Sequence, residues 1–180
     1  MGSTMTEDEQ VPAYPTPEPE HFRALDELAD KIRSSCDVAS IFPVDIYKVA
    51  DYFGLKIYDG NVEGGWIAIS KDKDCAPSVG IDLKVDKRWH RYICAFCVSY
   101  YFSTLRIESF DLVLTKDDII RKTFDFDKIV SAILAAAVLI PDSVIKNKDV
   151  DSVIDVYPSL DIPMEIMIER YSDVKAYHND

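Results

Sequence analysis

The fold is decided by residues 78–102, which have the sequence SVGIDLKVDKRWHRYICAFCVSYYF. Apolar side chains alternate with other residues from Ser78 to Val85, and this period of two predicts a β-strand. From Arg88 to Leu105 the chain is apolar nearly all round a helix, which is typical of a buried central helix. The stretch therefore predicts a sheet that packs against helices.

The flanking segments extend this pattern in both directions. Helices are predicted at 20–36, directly after Pro43, and at 88–105, 125–140, 152–157 and 163–171, and strands at 55–58, 66–69 and 78–85. Helices, three strands and then further helices define the α+β class. We therefore expect a small three-stranded sheet packed on a helical bundle.

Length and composition indicate one folded domain preceded by a tail. The chain has 180 residues, 48% of them apolar, which suffices for a core of its own. Residues 1–20 hold four prolines among many acidic residues, a composition that favours a disordered, extended tail. Residues 21–180 are predicted to form a single domain.

Charge and targeting signals limit the partners that we expect. The net charge of −12 repels phosphate backbones, so direct binding to nucleic acid is not expected, whereas a basic protein suits the chain. The same charge also aids solubility. No apolar run reaches the about 18 residues that span a bilayer, and no signal peptide opens the chain. We expect no membrane contact, a cytoplasmic location and reduced cysteines, while the oligomeric state stays open.

Common catalytic motifs are missing from the sequence. Gly64-Gly65 lacks the residues that complete a phosphate-binding loop, and there is no Gly-x-Ser-x-Gly. His21, His90 and His178 are scattered, so no two imidazoles have the four-residue helical spacing of a metal site.

Several short segments nevertheless share their order and spacing with one enzyme family. They are Pro43-Val44-Asp45-Ile46, Gly80-Ile81-Asp82-Leu83, Arg91-Tyr92, the small-residue run from Ala132 to Pro141, and the closing segment from Asp155 to Tyr171. From Pro43 onward the chain resembles the ImmA/IrrE family of zinc metallopeptidases. The resemblance implies a zincin-like minimal metallopeptidase scaffold.

The chain departs from that family at the metal site. The family carries His-Glu-x-x-His on its central helix, where two imidazoles bind zinc and the glutamate activates water. Alignment on Arg91-Tyr92 places Phe96 and Tyr100 at the histidine positions and Cys97 at the glutamate position. The third ligand, an acidic residue, falls near Lys128, with Asp127 adjacent. The resemblance thus implies the fold without its zinc chemistry, and no cofactor is expected.

The leading hypothesis is a catalytically inactive pseudo-metallopeptidase that acts by binding a protein. Active members of the family cut helix-turn-helix repressors of mobile elements and stress responses, so the resemblance implies a repressor-like or other DNA-binding partner in phage or host regulation. The pseudo-site is predicted to form an apolar groove. Its residues are Phe96, Cys97, Tyr100, Lys128 and Asp127.

Two other functions remain open. An active hydrolase would need a non-standard metal or cysteine site, for which the candidates are Cys94, Cys97, His90 and Asp127. Cys94-x-x-Cys97 shares one helix face, but mid-helix cysteines in an apolar setting are more typical of core. An acidic mimic of DNA would need carboxylates on one face. Its candidates are Asp111, Asp117, Asp118, Asp125 and Asp127.

Overall fold

The structure is a computed structural model, and it describes residues 17–72, 77–103, 110–122 and 125–178. Most of the predicted tail, residues 1–16, lies outside the described residues. The first helix begins at Pro19, inside the range predicted as tail, because Glu18 and His21 form a capping box at its start. Leu105, the predicted end of the central helix, also lies outside the described residues.

The described residues form eight α-helices and four β-strands. The helices are α1 (Pro19–Ser35), α2 (Ile46–Tyr52), α3 (Lys87–Ser103), α4 (Lys116–Ile119), α5 (Phe126–Leu139), α6 (Asp142–Ile145), α7 (Val150–Val156) and α8 (Met164–His178). The strands are β1 (Lys56–Gly60), β2 (Ile67–Lys71), β3 (Ser78–Asp82) and β4 (Phe110–Leu114). This confirms the α+β class.

The sheet has four strands, so the prediction of three is wrong. Its order is β1-β3-β2-β4, in which β1 runs parallel to β3 and the other pairs are antiparallel. The missed strand, β4, pairs with β2 along its whole length. Its five residues include the inward-facing Leu112 and Leu114, a period of two that is too short to stand out beside long helices.

The central helix α3 lies at the middle of the core, as its sequence predicts. It packs against α5 and α2, and α5 packs in turn against α1 and α8. The inner face of the sheet is buried. Its buried side chains are Ile67, Ile69, Val79, Ile81 and Leu114. The small-residue helix α5 allows close approach on two sides, since Ala135 and Ala137 are fully buried.

Capping interactions and a glycine set the ends of α5 and α2. Asp125 caps α5 by accepting from the backbone N–H groups of Asp127 and Lys128. The α2 helix begins at Ile46, three residues after Pro43, because Asp45 accepts from the backbone of Lys48. Gly54 ends α2 at a φ of 74°, which favours glycine.

Two buried arginines hold the C-terminal end of α5. Arg33 Nη1 donates to the carbonyls of Ala137 (2.6 Å) and Val138 (3.1 Å). Arg170 Nε donates to the carbonyl of Ile140 at 3.0 Å. Carbonyls at a helix C-terminus have no partner within the helix and carry partial negative charge, so buried cations satisfy and stabilise them.

The Asp82 carboxylate anchors the loop between β1 and β2. It is buried, and it accepts from the backbone N–H groups of Val62 at 2.7 Å and Lys84 at 2.8 Å. These backbone hydrogen bonds lower the pKa of Asp82 below its usual value. The Gly-Ile-Asp-Leu segment therefore has a structural role at the end of β3.

We expect the stabilising effect of Asp82 to depend on pH. Its folded-state pKa is lowered, so the stabilisation is complete above the unfolded pKa of about 4 and is lost as pH falls through the folded pKa. Urea unfolding should therefore show a difference between wild type and Asp82→Asn that shrinks from pH 6 to pH 3. The exposed Asp111→Asn serves as control, and an unchanged Asp82 difference would contradict the prediction.

Candidate functional site

Three positions that the resemblance assigns to metal ligands lie together between α3 and α5. Phe96 and Tyr100, one helical turn apart on α3, stack with ring centroids 5.9 Å apart and an interplanar angle of 11°. Burial raises the pKa of Tyr100, and Asp125, Asp127 and Asp118 raise it further while the Lys128 ammonium opposes them. Tyr100 therefore lies within electrostatic reach of the charged groups at the start of α5.

Lys128 is paired with two carboxylates at this place. Its Nζ lies 2.9 Å from Asp118 Oδ1 and 3.7 Å from Asp125 Oδ2, and its side chain is only 17% exposed. Burial disfavours the charged form, but the hydrogen bond and charge of Asp118 outweigh burial and raise the pKa of Lys128. The ammonium has no lone pair to offer a metal ion.

Asp118 is the site residue that the sequence did not single out for this role. It forms a capping box with Thr115 at the start of α4, where Thr115 N–H and hydroxyl both donate to its carboxylate. The Thr-x-x-Asp spacing gives a signal for the cap. Its pairing with Lys128 depends on how α4 meets α5, which the local sequence does not contain.

The interior side of α3 is closed around Cys97, which corrects the expectation of an apolar groove there. Phe96 is 0% exposed and Cys97 is 2% exposed, so both belong to the core. The gap beside Cys97 has no room for a water molecule. Its lining residues are Leu55, Ile69, Pro77, Val79, Cys97, Tyr100 and Tyr101. Tyr100, Lys128 and Asp127 are the predicted groove residues that keep solvent contact.

Both cysteines of the Cys94-x-x-Cys97 pair are buried thiols. Burial raises the pKa of Cys94 to about 12, and it raises the pKa of Cys97 well above its usual value. Because the thiolate is the nucleophile and the metal ligand, a thiol that stays protonated at neutral pH serves neither purpose.

We expect these two thiols to resist labelling in the folded chain. In a Cys36→Ser/Cys75→Ser variant, reaction with a disulfide reagent at pH 8 should be at least about a hundredfold slower than in the urea-unfolded chain. The absorbance of the thiolate that the reagent releases, followed over time, measures both rates. Rapid labelling of one thiol in the folded chain would instead indicate an activated cysteine.

His90 and Asp127 do not join the cysteines in one site. His90 Nδ1 lies 3.7 Å from Asp59 Oδ1, beside β1 at the start of α3. Asp127 is exposed in the first turn of α5. Within the described ranges, no three His, Cys, Asp or Glu side chains are placed to hold one metal ion. The alternative ligand set of Cys94, Cys97, His90 and Asp127 is therefore not assembled.

The five acidic residues proposed as a DNA mimic do not all remain unpaired. Asp118 and Asp125 face Lys128 and compensate its charge. Asp111, on β4, and Asp117 are exposed. Two of the five carboxylates therefore belong to an internal ion pair, which weakens the case for an acidic array.

A second candidate site lies on the surface between α7 and α8, and the sequence analysis did not identify it. We call it the α7–α8 groove, and it encloses about 210 Å³. It is lined by Val153, Ile154, Met164, Met167, Ile168 and Tyr171. The sequence does contain a signal for this groove, since apolar residues on α8 recur at the spacing i, i+3, i+4, i+7 from Met164 to Tyr171. Such a stripe normally indicates a face buried in the core.

Comparison with known proteins found no matching family model and no matching curated sequence. In the described part of the chain, no helix has both the length and the apolar character required to cross a bilayer.

Proposed function

We propose that this chain is a catalytically inactive, ImmA/IrrE-like pseudo-metallopeptidase that acts by binding another protein. The proposal is supported by one observation, the internal packing and the ion pair at the positions that the resemblance assigns to metal ligands. Phe96 stacks on Tyr100, and Lys128 is held by Asp118 at the position of the third ligand. The Lys128 ammonium offers no lone pair to a metal ion, and it occupies carboxylate oxygens of Asp118 and Asp125 that could otherwise act as ligands.

The other two functions have less support from the described residues. A cysteine hydrolase needs an accessible thiolate, whereas Cys94 and Cys97 are buried with raised pKa values. A DNA mimic needs unpaired carboxylates on one face, whereas Lys128 pairs with two of the candidates. Protein binding requires neither an accessible thiolate nor unpaired carboxylates on one face.

The proposed partner is a repressor-like or other basic DNA-binding protein, in the control of a mobile element or a phage and host response. The net charge of −12 supports a basic partner, because opposite charges speed association and disfavour acidic competitors. The identity of the partner class follows from the resemblance alone.

Restoring the family residues tests the proposal at the pseudo-site. We expect the Phe96→His/Cys97→Glu/Tyr100→His/Lys128→Glu variant to retain about one zinc ion per folded chain after a zinc soak and buffer exchange. Circular dichroism establishes that the variant is folded. If it is folded and binds no zinc, the three positions do not correspond to a ligand set and the resemblance fails.

The Tyr100→His/Lys128→Glu variant provides a milder test if the full restoration does not fold. Both replaced side chains contact solvent, so this variant keeps the buried Phe96 and Cys97 and disturbs the core less than the full restoration does. We expect it to bind zinc at least about tenfold more tightly than Tyr100→His alone, because the second ligand is added. Equal affinities would contradict the proposed geometry.

A further inference from the structure

The floor and the rim of the apolar α7–α8 groove differ in exposure. Val153 and Met167 form the floor and are each 2% exposed. Ile154 and Ile168 stand at the rim and are 48% and 57% exposed. Two large aliphatic side chains thus face solvent beside an apolar cleft, which is the arrangement of a binding surface.

The groove is suited to a side chain of a partner and is small for a free ligand. Its volume of about 210 Å³ lies below the roughly 300–1,000 Å³ of small-molecule sites. Its lining is formed by apolar and aromatic residues, with no charged group to orient a metabolite. Two helices that present apolar stripes side by side form the surface into which a third amphipathic helix packs.

Carboxylates occur on both helices that form the groove. Asp151 and Asp155 are exposed next to Ile154 on α7, and neither pairs with a cation among the described residues. On α8, Glu165 and Glu169 lie next to Ile168 by helical position. Glu165 Oε1 is 3.8 Å from Lys116 Nζ, and Glu169 Oε2 is 3.8 Å from Arg121 Nε.

Cations lie beside α8, where Lys116 and Arg121 are near Glu165 and Glu169, and at the Tyr171 end of the groove. Lys175 Nζ lies 5.5 Å from the Tyr171 ring centroid and donates to the carbonyl of Lys146. The α7 side of the groove is acidic, because Asp151 and Asp155 are exposed there. A partner that covers Ile154 and Ile168 therefore gains from cations on the flank of its apolar stripe that faces Asp151 and Asp155.

We propose that the α7–α8 groove is the docking site for a basic amphipathic helix of the partner protein. This inference rests on the proposed function, since it locates the protein-binding surface on the helix pair and away from the closed pseudo-site. The apolar stripe of the bound helix covers Ile154 and Ile168, and its flanking cations face Asp151 and Asp155.

The test uses the full chain and a fluorescein-labelled synthetic helix of about 18 leucine and lysine residues, with leucine at helical spacing. We expect the Ile154→Ser/Ile168→Ser variant to bind it at least about tenfold more weakly by fluorescence anisotropy. The matched control, Leu83→Ser/Val113→Ser, replaces equally exposed apolar residues elsewhere and should leave binding unchanged.

Charge is tested separately with Asp151→Asn/Asp155→Asn. This variant should bind the peptide about threefold to tenfold more weakly at low salt, and the loss should fade at high salt as screening increases. Asp111→Asn/Asp117→Asn makes the same change in net charge at exposed positions elsewhere and should have the smaller effect.

Several outcomes would overturn the inference. The first three are equal binding of a scrambled peptide of the same composition, equal effects of the groove and control variants, and no binding of the peptide at all. The fourth is a dimer of the wild-type chain that the Ile154→Ser/Ile168→Ser variant dissociates, which would make a second copy the occupant of the groove. Each outcome leaves the zinc content of the chain unaffected, so it is distinguishable from failure of the proposed function.

Discussion

Replacing Asp26 by alanine is expected to lower the free energy of unfolding by about 3–5 kcal/mol. Asp26 accepts hydrogen bonds from the Arg170 guanidinium and the Tyr177 hydroxyl, and Arg170 is 0% exposed. Removal of the carboxylate leaves a buried guanidinium with no counter-ion among the described residues. Because Arg170 also donates to the carbonyl of Ile140, the defect reaches the end of α5.

Urea unfolding followed by circular dichroism measures this loss. Glu27→Ala is the matched control, because Glu27 is the exposed neighbour of Asp26 on the same helix. We expect its cost to stay within about 0.5 kcal/mol. A cost below about 1 kcal/mol for Asp26→Ala would mean that the buried pair contributes little to the stability of the fold.

Replacing Phe96 by alanine is expected to cost about 3–5 kcal/mol, because it removes a fully buried ring and leaves a cavity between α3 and α5. It also removes the stack with Tyr100. This cost is the expected property of a core residue at a position that the resemblance assigns to a zinc ligand.

The control for Phe96 is Phe126→Ala. Phe126 is 56% exposed at the start of α5, so we expect its replacement to cost less than about 1 kcal/mol. Similar costs for the two variants in urea unfolding would show that Phe96 is not the packing residue described here, and would reopen the possibility of an accessible pseudo-site.

The parts of the fold with strong local periodicity were predictable from the sequence. The α3 and α5 helices are apolar nearly all round or rich in alanine, and both are buried as such helices must be. The strand from Ser78 onward was also correct, although β3 ends at Asp82 and not at Val85. It ends there because the Asp82 carboxylate turns back to bind the backbone of Val62 and Lys84.

The parts that depend on distant pairing were not predictable. The β4 strand exists because β2 offers it a free edge, and the parallel pairing of β1 with β3 joins Lys56 to Ser78. No local sequence pattern indicates which strands pair with each other. The same reason explains why the sequence suggested an open groove at Phe96, since its burial depends on how α3 meets α5.

The sequence named candidate residues for the pseudo-site but not their contacts. The alignment named Phe96, Tyr100 and Lys128, and the structure brings these three positions together. It did not supply Asp118, which pairs with Lys128 across two helices. The exposed Ile154 and Ile168 were also missed, because sequence shows which residues are apolar but not which of them the fold leaves uncovered.

The zinc content of the purified, untagged wild-type chain tests the central claim most directly. It is measured by elemental mass spectrometry before and after a zinc soak followed by buffer exchange. Because Phe96, Tyr100 and Lys128 offer no ligand set, we expect less than about 0.1 zinc ion per chain in both samples. Retention of about one zinc ion per chain would contradict the proposal of a pseudo-metallopeptidase.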